Sequence, residues 1–482
     1  MKRLLLLFVI IGISLATSSV AESSDNDLTW QISLSSAVSN ENPLWLFANR
    51  FGEIPQYSTR NMVFSIRSEE AMLWQNERFS LNYGVGATSS INDVDNVFFM
   101  SNTYASFESQ KYILRLGWFE DLVGYTAPRL SSGSFMVSKN ARQPVKALFS
   151  TNDFIEVPFT AGYLEFKARW SEALLFDERH IENARIHQKY LYVNIKPIPD
   201  LNLMGGVVHN LMWGGVHPDR GRMHPRLRDY LSDIFAQPAE ESITPLGNGV
   251  SAYDFAAEYN HGSYDVGIYR LFYLEDRVST RFRSPWDGMW GAFIEFKNKS
   301  NLVNLLVYEH INTKQQDARK GIDAFGRARY YSHSTWLDGW THGGHVIGNP
   351  LITIDPDMLG TGDRNLVNNI IIGHHLGISG KFQQDLSYNL LATYSRNYGV
   401  CTDQLKPDAI RCFGTEENPI PERDYYIPLS DLRQDRVNLL YEMLFHHLFR
   451  NDLTLSVSLA LDLGEFYEQT NYGMNVGLQW KL

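Results

Sequence analysis

Residues 453–463 read Leu-Thr-Leu-Ser-Val-Ser-Leu-Ala-Leu-Asp-Leu: every odd position is aliphatic, every even one small or polar. Side chains alternate across an extended strand, so this order commits the stretch to a strand with one apolar and one wet face. The same period returns along the chain. Val437, Leu439, Tyr441, Met443 and Phe445 share one face, as do Trp30, Ile32 and Leu34, and Tyr112, Leu114, Leu116 and Trp118. Residues 472–482 close on it, with Tyr472, Met474, Val476, Leu478, Trp480 and Leu482 on one side. The chain is all-β.

Two environments give such strands: a sandwich that buries its apolar faces, or a transmembrane barrel that shows them to lipid. Connection lengths decide. Eighteen strands are expected, the first over 28–38 and the last over 470–482, with one over 151–158. Tight connections near 109–110, 197–200, 260–262, 298–301, 383–385 and 451–452 alternate with long ones at 39–56, 120–150, 213–250, 313–366 and 399–434. Outer-membrane barrels sort their loops this way, with short periplasmic turns and long external loops, and an even strand number puts both termini in the periplasm. The expected fold is a single antiparallel up-and-down barrel whose long loops partly plug the lumen. A final strand of this kind would also be what the outer-membrane assembly machinery reads. Trp118, Phe119, Trp170, Tyr190 and Trp480 suit interfacial girdles.

Lys2 and Arg3, an apolar run over 4–15 and the small residues Ser19-Val20-Ala21 form a secretory signal, 1–21, ahead of a barrel domain, 22–482. The run is too short to span a bilayer, and no lipid-acceptor cysteine lies near the cleavage point. No linker or repeat divides the remainder. The net charge is −11, and −13 once the two cations Lys2 and Arg3 are removed. That balance argues against nucleic acid. The two cysteines, Cys401 and Cys412, are expected to pair in an oxidising compartment and pin an external loop; alone they cannot hold a metal.

Catalytic motifs are missing: there is no G-x-S-x-G elbow, no H-E-x-x-H helix and no phosphate-binding glycine loop. His342, His345, His374, His375, His446 and His447 invite a metal reading, but adjacent strand residues point to opposite faces. Hydrogen bonding in the lumen or loops accounts for them better, so neither metal nor cofactor is expected. A phospholipase would need a Ser-His pair on the lipid-facing rim. The chain reads as a non-enzyme.

The loops carry the binding signal. Trp213, His217, Arg220 and Arg222 fall in one, and Arg327, Arg329, Tyr330, Trp336 and Trp340 in another. Guanidinium groups pair with carboxylates and flat rings stack on sugars, a combination suited to an acidic or capsular polysaccharide. The plainer reading is solvated loops whose cations balance lipopolysaccharide phosphates or luminal carboxylates. A monomeric barrel is expected in either case. The competing function is a substrate-specific porin for small anionic or sugar solutes, and the question between them is whether 120–150 and 313–366 close the lumen.

Residues 42–52 (Asn-Pro-Leu-Trp-Leu-Phe-Ala-Asn-Arg-Phe-Gly), 114–119, 133–144, 210–215 (Asn-Leu-Met-Trp-Gly-Gly) and 342–351 (His-Gly-Gly-His-Val-Ile-Gly-Asn-Pro-Leu) resemble the capsule-assembly Wzi family. The resemblance implies an eighteen-stranded, occluded outer-membrane barrel that binds surface polysaccharide and organises capsule. Founding members carry a helical segment ahead of the first strand, for which there is no room before residue 28.

Overall fold

The computed structural model describes residues 28–223, 226–234, 247–275, 284–316, 330–402, 410–411, 433–448, 452–467 and 469–481. Eighteen antiparallel strands run in chain order. They are β1 (Leu28–Ala37), β2 (Arg60–Ser68, resumed at Ala71–Gln75), β3 (Phe79–Gly84 and Gly86–Asn92) and β4 (Asn96–Met100 and Thr103–Ser109). Then come β5 (Tyr112–Trp118), β6 (Val145–Thr151, resumed at Ile155–Glu156), β7 (Leu164–Leu174), β8 (Arg185–Ile198) and β9 (Leu201–Trp213). The second half holds β10 (Asn248–Asn260), β11 (Tyr264–Leu274), β12 (Gly288–Phe296), β13 (Leu305–Asn312) and β14 (Ile371–Gln383). It finishes with β15 (Leu386–Asn397), β16 (Gln434–Phe445), β17 (Leu453–Leu463) and β18 (Asn471–Lys481). Each strand pairs with the next, and β18 pairs with β1 from Thr29↔Lys481 to Ala37↔Gly473, so the sheet closes on itself.

Short turns and long loops alternate as the sequence suggests. The strand expected over 151–158 instead starts at Val145. Leu148 masks the alternation there: it is an aliphatic side chain on the inward face, between Ser150 and Lys146, whose ammonium lies 2.9 Å from the Asp121 carboxylate. The period-two faces separate as lipid and lumen demand. Leu34, Leu114, Leu116, Phe149, Leu191 and Val207 are exposed on the outside, while Ser33, Ser35, Ser150 and Asn194 are buried inside. So large an exposed apolar belt suits a bilayer and would be a liability in water. Trp170 and Trp480 do face outward. Two of the girdle assignments are wrong: Phe119 is buried against Lys146, and Tyr190 lies inside the wall beside Arg169.

The closing ladder supports a first expected result. Deleting 471–481 leaves β1 and β17 as open edges in lipid, where unpaired backbone groups are costly. Heat-modifiable gel mobility, present in the intact protein, should be lost.

Candidate functional site

Three loops fold into the lumen and lock together. The first, after β1, carries the short helix α1 (Leu44–Phe47), all four of whose side chains are buried. The second spans 119–144, with Ser132, Phe135 and Met136 completely buried, and the third follows β13. Trp340 Nε1 donates to Met136 O at 2.9 Å, Tyr331 Oη to Phe135 O at 2.7 Å, and Asn349 Nδ2 to Gly133 O at 2.6 Å. Asn49 Nδ2 donates to Ser132 O at 2.9 Å, joining the first loop to the second. Packing is tight enough that a Cβ on Gly348 would lie 1.9 Å from Tyr331 Oη.

Charged wall residues hold the plug. Glu309 accepts from Ser131 Oγ at 2.5 Å and from Ser132 N at 2.7 Å, and Asp254 accepts from Tyr125 N at 2.6 Å. Asp121, on the plug, meets Arg169 Nη1 at 2.6 Å and Lys146 Nζ at 2.9 Å. Burial alone would raise the Asp121 carboxyl; the two facing cations outweigh it and hold its pKa well below the usual carboxylate range.

The polysaccharide candidates separate. Tyr330, Trp336 and Trp340 are buried, not presented as open faces for a sugar. Tyr330 Oη donates to Asp287 at 2.8 Å, and Tyr330 packs 4.1 Å from Tyr273. Their rings build the plug: Trp340 reaches the second loop at Met136 O, and Tyr330 packs on Tyr273 of the wall. Arg327, Arg329 and Cys412 lie outside the described residues. Arg220 is exposed on a small hairpin, Val216–His217 against Gly221–Arg222. His217 is buried within it, its Nδ1 accepting from Asp219 N at 3.1 Å and Arg220 N at 3.3 Å. Trp286 is 62% exposed on the β11–β12 loop, and its only signal in the sequence is an aromatic after Ser284-Pro285 in a connecting segment.

Trp213 and Arg222 line a cavity of about 830 Å³, with Arg185, Arg226 and Tyr230. It lies against the outer wall, beneath the hairpin and the helix α2 (Leu227–Ile234). Tyr230 packs tilted against Trp213, ring centres 4.3 Å apart, and donates its hydroxyl to Glu172 at 2.5 Å.

The histidines behave as hydrogen-bond partners. His375 faces inward to Leu130 O at 2.8 Å, while its neighbour His374 faces outward to Tyr308 Oη at 2.8 Å. His342 Nδ1 lies 2.8 Å from Arg142 O. Burial lowers His345, to about 4, so it is neutral at pH 7. Ser387 Oγ and His446 Nε2 are 2.7 Å apart, but Ser387 shares the inward face of β15 with buried Thr393, and the pair sits at the short-turn end. Among the described residues no side chain orients His446 through Nδ1, and the pair is not on the lipid face a phospholipase would use.

The family described as capsule assembly protein Wzi matches residues 38–357. A solved structure of Wzi from Escherichia coli, described as an outer-membrane protein involved in group 1 capsule assembly and a carbohydrate-binding β-barrel, is 12% identical. The likeness covers 93% of this chain and 83% of that one, with a TM-score of 0.53. OprD of Pseudomonas aeruginosa (8% identity, 96% and 97% covered, TM-score 0.42) and an anion-selective porin of Comamonas acidovorans (9%, 94% and 98%, 0.38) are looser likenesses. No curated protein matches the chain. The segments that lock the lumen, 42–52, 133–144 and 342–351, all fall inside the matched region, and the chain belongs to the capsule assembly protein Wzi family.

Proposed function

We propose that this outer-membrane barrel binds an acidic surface or capsular polysaccharide at its long-loop mouth and helps hold capsule on the cell, without catalysing a reaction. The observation that carries the reading is the plug: a lumen filled by interlocked loops serves a binding surface better than a diffusion path. The long loops then face outward, both termini lie in the periplasm, and the barrel works as a monomer. Arg220 with Arg327 and Arg329 supply cations, and Trp286 an open ring.

The test is cell-associated against shed polysaccharide, with a glycan array on the purified protein to identify the sugar. Exposed ion pairs contribute about 0.5–1 kcal/mol each. Reversing all three arginines to Glu should therefore cost about 2 kcal/mol, roughly thirtyfold in affinity. Retention should fall and added salt should weaken binding gradually. Unchanged retention in a barrel that keeps its heat-modifiable mobility would sink this placement.

A further inference from the structure

Outward positions of a transmembrane strand are expected to be apolar, and a cation there costs about 2–4 kcal/mol at the bilayer midplane, much less near the interface. The register puts Arg60, Arg185, Lys189, Arg270 and Arg396 on the outward face, beside apolar residues such as Met62, Leu191, Ile268 and Tyr394. All five lie within about four residues of the long-loop ends of their strands. Nearer the short turns, the outward faces carry residues such as Phe107, Ile195, Leu203 and Leu306. Arg270 is buried on backbone carbonyls and Arg396 faces Asp435 across the strands, so Arg60, Arg185 and Lys189 are the cations left to meet an anionic surface at this end.

One sector goes further. Glu172, His187, Lys189 and His209 form an outward cluster across β7–β9, cross-paired as Glu172↔His187 and Lys189↔His209. Lipid would solvate such a cluster poorly, and Tyr230 and Ile234 of α2 cover part of it from outside. Lys189 Nζ donates to Ile234 O, and Trp213 Nε1 donates to Glu172 at 3.3 Å. A loop that leaves the barrel rim thereby turns down over the lipid-facing wall rather than into the lumen.

Beside this flap the 830 Å³ groove stays open. Its floor is the outer wall, with Leu116, Ala147 and Leu174 continuous with the lipid belt; its edge carries Arg185, Arg222 and Arg226. Arg185 stacks over Trp213 at 5.1 Å. Glu172 also lines the groove, its carboxylate taken up by His187, Tyr230 and Trp213, and no carboxylate among the described residues forms an ion pair with the three arginines. Apolar floor and cationic edge meet in a space of the size that takes a small amphiphile.

We infer that this groove holds a phosphate-bearing lipid of the leaflet at the long-loop end. One acyl chain lies along Leu116, Ala147 and Leu174, and the phosphate is gripped by Arg222 and Arg226 with Arg185 behind them. Arginine suits the role, because its planar fork pairs with phosphate oxygens two at a time. This site is separate from the polysaccharide-binding mouth and does not rest on it.

The test uses the full-length protein in a non-ionic detergent and native mass spectrometry. Three probes are titrated: an acylated glucosamine disaccharide carrying two phosphates, the same lipid without phosphates, and inorganic phosphate. The phosphorylated lipid should bind at least tenfold more tightly than its dephosphorylated form. The double variant Arg222→Glu/Arg226→Glu should lose at least tenfold. Ala147→Trp, which fills the floor from the exposed face, should lose a similar amount without touching the arginines. Heat-modifiable mobility confirms folding, and glycan-array binding separates failure here from failure of the mouth. Equal binding of the two lipids, or wild-type affinity in both variants, overturns the proposal. Inorganic phosphate competing as well as the phosphorylated lipid also overturns it, leaving a simple anion site.

Discussion

Deleting Ser131–Ala141 should convert a silent barrel into a conducting one. In planar bilayers the intact protein is expected to show no steady open-channel steps, and the deletion variant to show them in most insertions. The segment supplies both sides of the lock. Ser131 and Ser132 reach the wall at Glu309, Phe135 O and Met136 O receive Tyr331 and Trp340, and Gly133 O receives Asn349. Without it the third loop loses its partners, while the ladders between strands are untouched, so folding and occlusion separate. Steady current from the intact protein would restore the porin reading. A silent deletion variant would place the barrier in the first or third loop instead.

The second large effect is expected from Asp121→Asn. The side chains of Lys146 and Arg169 are 2% and 4% exposed, and Asp121 is the carboxylate that both meet. Removing one partner of a buried ionic group leaves uncompensated charge and costs roughly 3–5 kcal/mol, far more than an exposed pair. Here two cations are stranded at once. Limited proteolysis should cut the 119–144 loop of the variant at least tenfold faster, with the strands still protected. The sign with pH follows from the depressed carboxyl. Its contribution is complete above the unfolded value, about pH 4, and is lost only as pH falls through the lower folded value. The wild-type tether should therefore hold from neutral pH down to about pH 4. Equal cutting rates in the two proteins would show that Asp121 does not anchor the loop.

Strand order was legible in the sequence because lipid and lumen impose opposite chemistry on alternate residues, and no packing detail can blur that. Where one residue crossed the pattern, as the inward-facing Leu148 does, the start of β6 was lost. Loop composition is a poorer guide. Tyr330, Trp336 and Trp340 read as open rings because aromatic residues near cations look alike whether a sugar or another loop covers them; only the contacts among residues 330–350 and 133–144 distinguish the two. The groove had left a trace. Glu172, His187, Lys189 and His209 occupy positions whose parity with Leu191 and Val207 called for apolar residues, a conflict visible before any coordinates but explicable only with the flap above it.

The stretch that leads into α1 is fastened to the strands made last. Leu44 N donates to Asp462 at 2.8 Å on β17, and Asn471 Nδ2 on β18 donates to Glu41 O at 2.8 Å. These contacts span more than four hundred residues, so they are among the slowest to find each other. Until β17 and β18 arrive, the start of α1 has no acceptor on the wall, and the lumen cannot be sealed on that side. Sealing is therefore a late kinetic event, a latch that drops when the seam closes. An intermediate stalled before that point would be leaky and exposed to periplasmic proteases.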